Sequence, residues 1–179
     1  MSGVKMNDVM AQIHDKIKSN PDILKLLYYT DNTINPLEQP RLTLAQAKQV
    51  VKNNIYTRKK VMSESDTIQC YISMRYGQKI YHHERNQYFN GNTFNFYVLC
   101  HNDYDTNEII GSRVCEIERL IEEMFDIKEI TISTTESHDI KLMMEFLPSS
   151  DIDVNGTDYS GRMIQVRFND CNGKTYAEY

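Results

Sequence analysis

The sequence predicts an α+β protein: N-terminal helices followed by a four- or five-stranded, mainly antiparallel sheet, with one long amphipathic helix packed on it. Three observations carry this. Apolar residues recur at three- and four-residue spacing over the first third of the chain. They alternate with polar residues in several later segments. A single strong amphipathic stripe interrupts that alternation. The period changes near residue 60, dividing the chain into a helical segment, 1–60, and a sheet domain, 61–179. A length of 179 residues accommodates both within ordinary domain sizes.

Each element follows from local pattern. Val9, Met10, Ile13 and Ile17 fall on one helical stripe, and Asn20-Pro21 ends it, because proline disfavours helix at the residue before it and starts a new one well. Ile23, Leu24, Leu26 and Leu27 carry the second helix into Tyr28-Tyr29. An irregular stretch bounded by Pro36 and Pro40 follows. Thr43-Leu-Ala-Gln46 then has the capping-box spacing, opening a helix with Leu44, Ala47, Val50 and Val51. Tyr56 to Lys60 is a basic connector.

Beyond it, Ile68, Cys70, Ile72, Met74 and Tyr76 alternate with polar neighbours as a strand with one buried face, and Phe94, Phe96, Val98 and Cys100 make another. The segment between them, 77–93, reads as a protruding arm with Asn90-Gly91 as a type I′ turn. Over 111–125, Val114, Ile117, Leu120, Ile121, Met124 and Phe125 form the amphipathic stripe, and Arg113, Glu116, Glu118, Arg119, Glu122 and Glu123 fall off it. Ile130/Ile132 and Ile140, Leu142, Met144, Phe146 predict two further strands. The acidic run 148–161 reads as a loop, and Ile164, Val166 and Phe168 as the last strand.

Composition narrows the function classes. No apolar run approaches the roughly 18–20 residues of a membrane-spanning helix, and the N-terminus has no secretory-type apolar stretch. Cys70, Cys100, Cys115 and Cys171 are widely spaced, with no C-x-x-C pair; Cys70 and Cys100, at core-facing positions of their strands, read as small buried hydrophobes in a reducing compartment, not as a disulfide framework or a zinc site. Twelve tyrosines without a tryptophan suit half-buried and interfacial positions. Residues 1–60 carry ten Lys/Arg against five Asp/Glu, and 61–179 carry ten against twenty. Such asymmetry fits contact with nucleic acid by the basic part, or head-to-tail assembly of unlike faces.

Catalytic patterns are weak. The chain has no G-x-S-x-G, no P-loop and no G-x-G-x-x-G. His101, Asp103, Asp105 and Glu108 form the strongest metal or acid–base candidate, since carboxylates after a strand end suit hard cations. A solvated loop capping the next helix explains them better. His82-His83 are neighbours on a strand and so face opposite sides. Asp151, Asp153 and Asp158 lack the terminal Glu of a calcium loop. Arg58, Lys59 and Lys60 with the arm aromatics could offer a stacking and phosphate surface. The expectation is no catalytic centre, no cofactor and no resident metal.

Three segments carry a family likeness: Leu24-Lys-Leu-Leu-Tyr-Tyr-Thr-Asp-Asn with Asn35-Pro-Leu-Glu-Gln-Pro40, the strand end FNFYVLCH, and Gly111-x-Arg113 at the start of the amphipathic helix. Over roughly residues 24–168 the chain resembles the head–tail connector and tail-terminator proteins of tailed bacteriophages. The resemblance implies a structural virion protein without catalysis, forming a ring of its own copies between neighbouring portal, adaptor or tail proteins. Contact with DNA in the channel would be passive, and no membrane would be involved. The sizeable helical segment departs from the simplest tail-terminator pattern.

On this reading the subunit interface falls on Tyr81, His82, Arg85, Tyr88 and Phe89 of the arm and on Arg58, Lys59 and Lys60. The four glutamates of helix 111–125 are a candidate acidic wall repelling the genome. Two other classes remain open: a nucleic-acid-binding regulator using the basic connector and arm, and a metal-dependent hydrolase using His101, Asp103, Asp105 and Glu108.

Overall fold

The computed structural model describes residues 6–57, 69–76, 80–84, 87–125, 129–133, 139–154 and 156–170. Helix α1 (Met6–Ser19) ends where Asn20 begins α2 (Pro21–Tyr28); the Asn20 side-chain oxygen accepts the Asp22 and Ile23 amides at 3.0 and 3.1 Å. A 3-10 turn at Pro36–Glu38 is capped in the same way by Asn35. Helix α3 (Leu44–Asn54) opens with the full capping box expected of Thr43 and Gln46. Its Val50 is buried, whereas Leu44, at the very start, stays exposed.

The chain then builds an α+β sheet. A two-residue strand β1 (Ile55–Tyr56) pairs in parallel with β2 (Cys70–Tyr76), and the remaining pairings are antiparallel. Strands β3 (Ile80–Glu84) and β4 (Gln87–His101) form a hairpin. A single turn, α4 (Asn102–Asp105), leads to the short ribbon β5 (Thr106–Asn107) and β6 (Gly111–Ser112), and then to α5 (Arg113–Met124). The last strands are β7 (Glu129–Ser133), β8 (Asp139–Asp153) and β9 (Tyr159–Asp170). Their order across the sheet is β1-β2-β4-β9-β8-β7, with β3 attached to β4. Five long antiparallel strands thus make the body, as alternation predicts.

One face carries every helix. Ile13 and Ile17 of α1, Leu26 of α2, and Ile117 and Ile121 of α5 join Ile72, Phe96, Val98 and Ile164 of the sheet in a single buried cluster. Each such side chain contributes about 1.5–3 kcal/mol on burial, so the helical segment and the sheet share one core. Arg162 of β9 reaches Glu118 of α5 at 3.1 Å and fixes that helix across the sheet. The other face holds tyrosines: Tyr71 and Tyr159 are buried with Leu99, flanked by Tyr56 and Tyr97. There Arg75 lies 5.0 Å over the Tyr97 ring.

Three local expectations need correction. Asn90-Gly91 is not a turn: Asn90 pairs with Tyr81 and Gly91 with Ile80 inside the ladder, and the chain reverses between Glu84 and Gln87. The acidic run is largely strand. A bulge between Leu147 and Ser150 passes Pro148, after which Ser150 to Asp153 pair with β9, leaving a short connection before Tyr159. Arg113 belongs to the buried interior and not to the solvated face of α5.

Candidate interaction surfaces

Arg113 organises the largest polar centre among the described residues. It is 0% exposed, although it is the first residue of α5, where the helix's own dipole disfavours a cation. Its guanidinium leaves that helix and caps another. Nη1 donates to Tyr29 O at 2.7 Å and Leu26 O at 3.4 Å, where the end of α2 leaves carbonyls unpaired. Nη2 donates to Asp31 O at 3.0 Å and Asn32 Oδ1 at 3.3 Å, and Nε to Tyr104 O at 2.7 Å. Burial pulls the Arg113 pKa down, and nearby Asp105 and Asp31 act against that pull. Arginine stays charged even so.

The surrounding segments are tied with similar economy. Asp105 accepts the Val114 amide at 2.9 Å and the Ser112 hydroxyl at 3.0 Å, so its charge meets the N-terminus of α5. Ser112 in turn accepts the Cys115 amide. Buried Asn107 donates to Ile34 O at 2.9 Å and accepts the amides of Ile109 and Ile110, both at 3.0 Å. Asn32 donates to Asp103 O at 2.7 Å, and the Glu108 amide donates back to Asn32 O. Gly111 has φ of 77°, the left-handed region that glycine enters without strain, and it turns the ribbon into α5. Residues 26–34 and 101–113 therefore form one junction.

That junction absorbs the metal candidate. Asp105 is committed to α5. Glu108 is exposed, and its backbone serves the ribbon turn. His101 caps α4, its Nδ1 accepting the Asp103 amide at 3.3 Å; the Asp103 and Asp158 carboxylates approach its ring at 3.6 and 3.9 Å. Among the described residues no three His, Cys, Asp or Glu side chains converge on a metal position. The acidic-wall idea also changes: Glu118 pairs with Arg162, and Glu116 and Glu123 both pair with Arg119. Arg119 holds the Glu116 carboxyl below its usual range.

The arm is the second surface. Tyr81 and His82 lie in β3, and Tyr88 and Phe89 in β4, with His82 opposite Phe89 and His83 opposite Tyr88. Arg85, Arg58, Lys59 and Lys60 lie outside the described residues. The pairing of β4 with β9 runs only as far as Asn92, and that with β2 only to Phe94. Among the described residues, Gln87 to Gly91 pair with β3 alone. Strand β9 itself runs to Asp170, level in register with Asn90, so Gln87 to Phe89 lie past its end, roughly 10 Å at about 3.4 Å per residue.

A family model, YomW, matches residues 20–168 of this chain. The chain belongs to the YomW family. The matched span begins just before α2 and ends at Phe168 in β9, so it takes in the Arg113 junction, the arm and most of the sheet. The family name resembles that of a Bacillus phage-region gene product, which points to an association with phage. Comparison with curated proteins finds no match. Among the described residues no helix is long and apolar enough to cross a membrane.

Proposed function

We propose that this YomW protein is a structural virion component, a ring-forming subunit of the phage head–tail connector that grips its neighbours through the β3–β4 arm. The observation that carries the reading is the arm itself. A two-stranded hairpin without further support is marginal in water, and among the described residues Ile80–Glu84 and Gln87–Gly91 have no ladder partner but each other. A neighbouring subunit supplies the missing support by packing on the ribbon or adding a strand to it. Exposed Asp103, Asp151, Asp153 and Asp158 cluster at the opposite end of the sheet. Head-to-tail contact brings that acidic end toward the β3–β4 hairpin of the next subunit. Heterologous contacts of this kind close into rings when the rotation allows.

The test is the mass of the purified protein by light scattering over a concentration series, beside a variant lacking residues 79–89. The reading expects a closed oligomer of fixed size in the intact chain and a monomer in the variant. An intact chain that stays monomeric at every concentration, or an oligomer unchanged by the deletion, contradicts assembly through the arm. Steeply salt-dependent DNA binding by a monomer would instead favour a nucleic-acid-binding regulator.

A further inference from the structure

Two of the cysteines face each other. Cys70 opens β2 and stands directly opposite Cys100, next to the end of β4. The His101 amide donates to Gln69 O at 2.7 Å, so residues 69 and 101 are a hydrogen-bonded pair. Bonded and non-bonded pairs alternate along an antiparallel ladder, which makes Cys70 and Cys100 the close, non-bonded kind, with Cα atoms about 4.5 Å apart. Disulfides accept Cα separations of roughly 4.4–6.8 Å. Both residues are buried on the helix-covered face.

We propose that Cys70 and Cys100 are an oxidisable dithiol that closes to a cross-strand disulfide when hydrogen peroxide reaches them. One sulfur attacks peroxide oxygen: an S–O bond forms, the O–O bond breaks, and the released hydroxide leaves as water with the thiol proton. The second sulfur then attacks the first. An S–S bond forms, the S–O bond breaks, and a second water leaves. The two sulfurs together lose two electrons and the peroxide gains them.

Location supplies access and consequence. A buried thiol is inert while the sheet is closed, and neighbouring Cys70, together with burial, holds the Cys100 thiol protonated. The pair, however, sits at the first residue of β2, where strand ends open more cheaply than the middle of the ladder. The positive charge of Arg113 favours a Cys100 thiolate formed during such opening. The loop closed by the bond, residues 70–100, contains the arm. Oxidation therefore staples together the two strands that carry it.

The experiment treats the full chain with hydrogen peroxide, blocks remaining thiols with N-ethylmaleimide after denaturation, and maps tryptic peptides. The expected product joins peptide 61–75 to peptide 86–113, is reversed by dithiothreitol, and raises the thermal midpoint by several degrees. Exposed Cys115 reports that the oxidant has acted. A Cys115→Ser, Cys171→Ser chain repeats the mapping without competing thiols. Oxidised Cys115 beside alkylatable Cys70 and Cys100, sulfinic acid on either, or cross-links running to Cys115 instead would overturn the proposal. An unchanged or lowered midpoint in the cross-linked chain would overturn the stapling.

Discussion

The Arg113 junction and the β3–β4 arm are built on opposite principles. At the junction, residues some eighty positions apart are joined by hydrogen bonds that satisfy a buried cation, a buried amide and the ends of two helices. Among the described residues, the arm pairs only with itself beyond Asn92. Polar groups locked inside specify one arrangement of α2, α5 and the ribbon, because any other leaves them unpaired. Backbone left at a free ribbon edge is a surface for another chain. The first region holds the subunit together, and the proposed function assigns the second to contacts between subunits.

Breaking the junction has the largest expected effect. Arg113→Met leaves five acceptor oxygens without their donor and lowers stability by about 3–5 kcal/mol, read from urea unfolding. Arg113→Lys recovers only part of this, because an ammonium cannot span oxygens on three sides as the guanidinium fork does. Loss of less than about 1 kcal/mol in Arg113→Met would remove the junction from its central place.

The next effect lies in the sheet that carries the arm. A Cβ added at Gly161 would sit 1.9 Å from Val98 O and 2.9 Å from Leu99 Cα, both backbone atoms that cannot step aside. Gly161→Ala therefore forces β4 and β9 apart and costs about 2–3 kcal/mol by thermal unfolding. It separates sheet integrity from the arm, because the β3–β4 pairing is not touched.

How much of this could be read from the sequence depends on the range of the interaction. The Thr43/Gln46 box, the α5 stripe and the inward placement of Cys70 and Cys100 were legible because each is encoded within one element. Asn90-Gly91 misled because local turn propensity gave way to hairpin register, which runs unbroken through Gly91 into the β4–β9 ladder. The acidic run hid a strand because the bulge after Leu147 shifts the alternation by which a strand is recognised. Arg113 was invisible as a buried residue: its partners at Leu26, Tyr29, Asp31 and Asn32 belong to another helix end, and no periodicity reports a contact at that distance. The Gly111-x-Arg113 pattern was the available signal, with a left-handed glycine preceding the buried cation.

A smaller effect arises in α1. His14 Nε2 is buried without a partner, and burial, aided by Lys18, lowers the His14 pKa below its ordinary 6.5. The unfolded chain then binds the proton more readily than the folded one. The neutral ring's contribution is fully present above about pH 6.5 and is lost as pH falls toward the folded-state value. Thermal midpoints compared at pH 7.5 and 5.5 should fall less in His14→Gln than in the natural chain. Equal falls would assign the pH dependence to other groups.

The division between a locked junction and a free arm is tested most directly by hydrogen exchange, followed amide by amide in the dissociated and the assembled protein. The account predicts that amides of residues 104–115 exchange only through global unfolding in both states. Those of 80–84 and 87–91 should exchange quickly in the monomer and become protected on assembly. Arm amides as protected in the monomer as those of the junction, or unprotected in the assembled state, would contradict it.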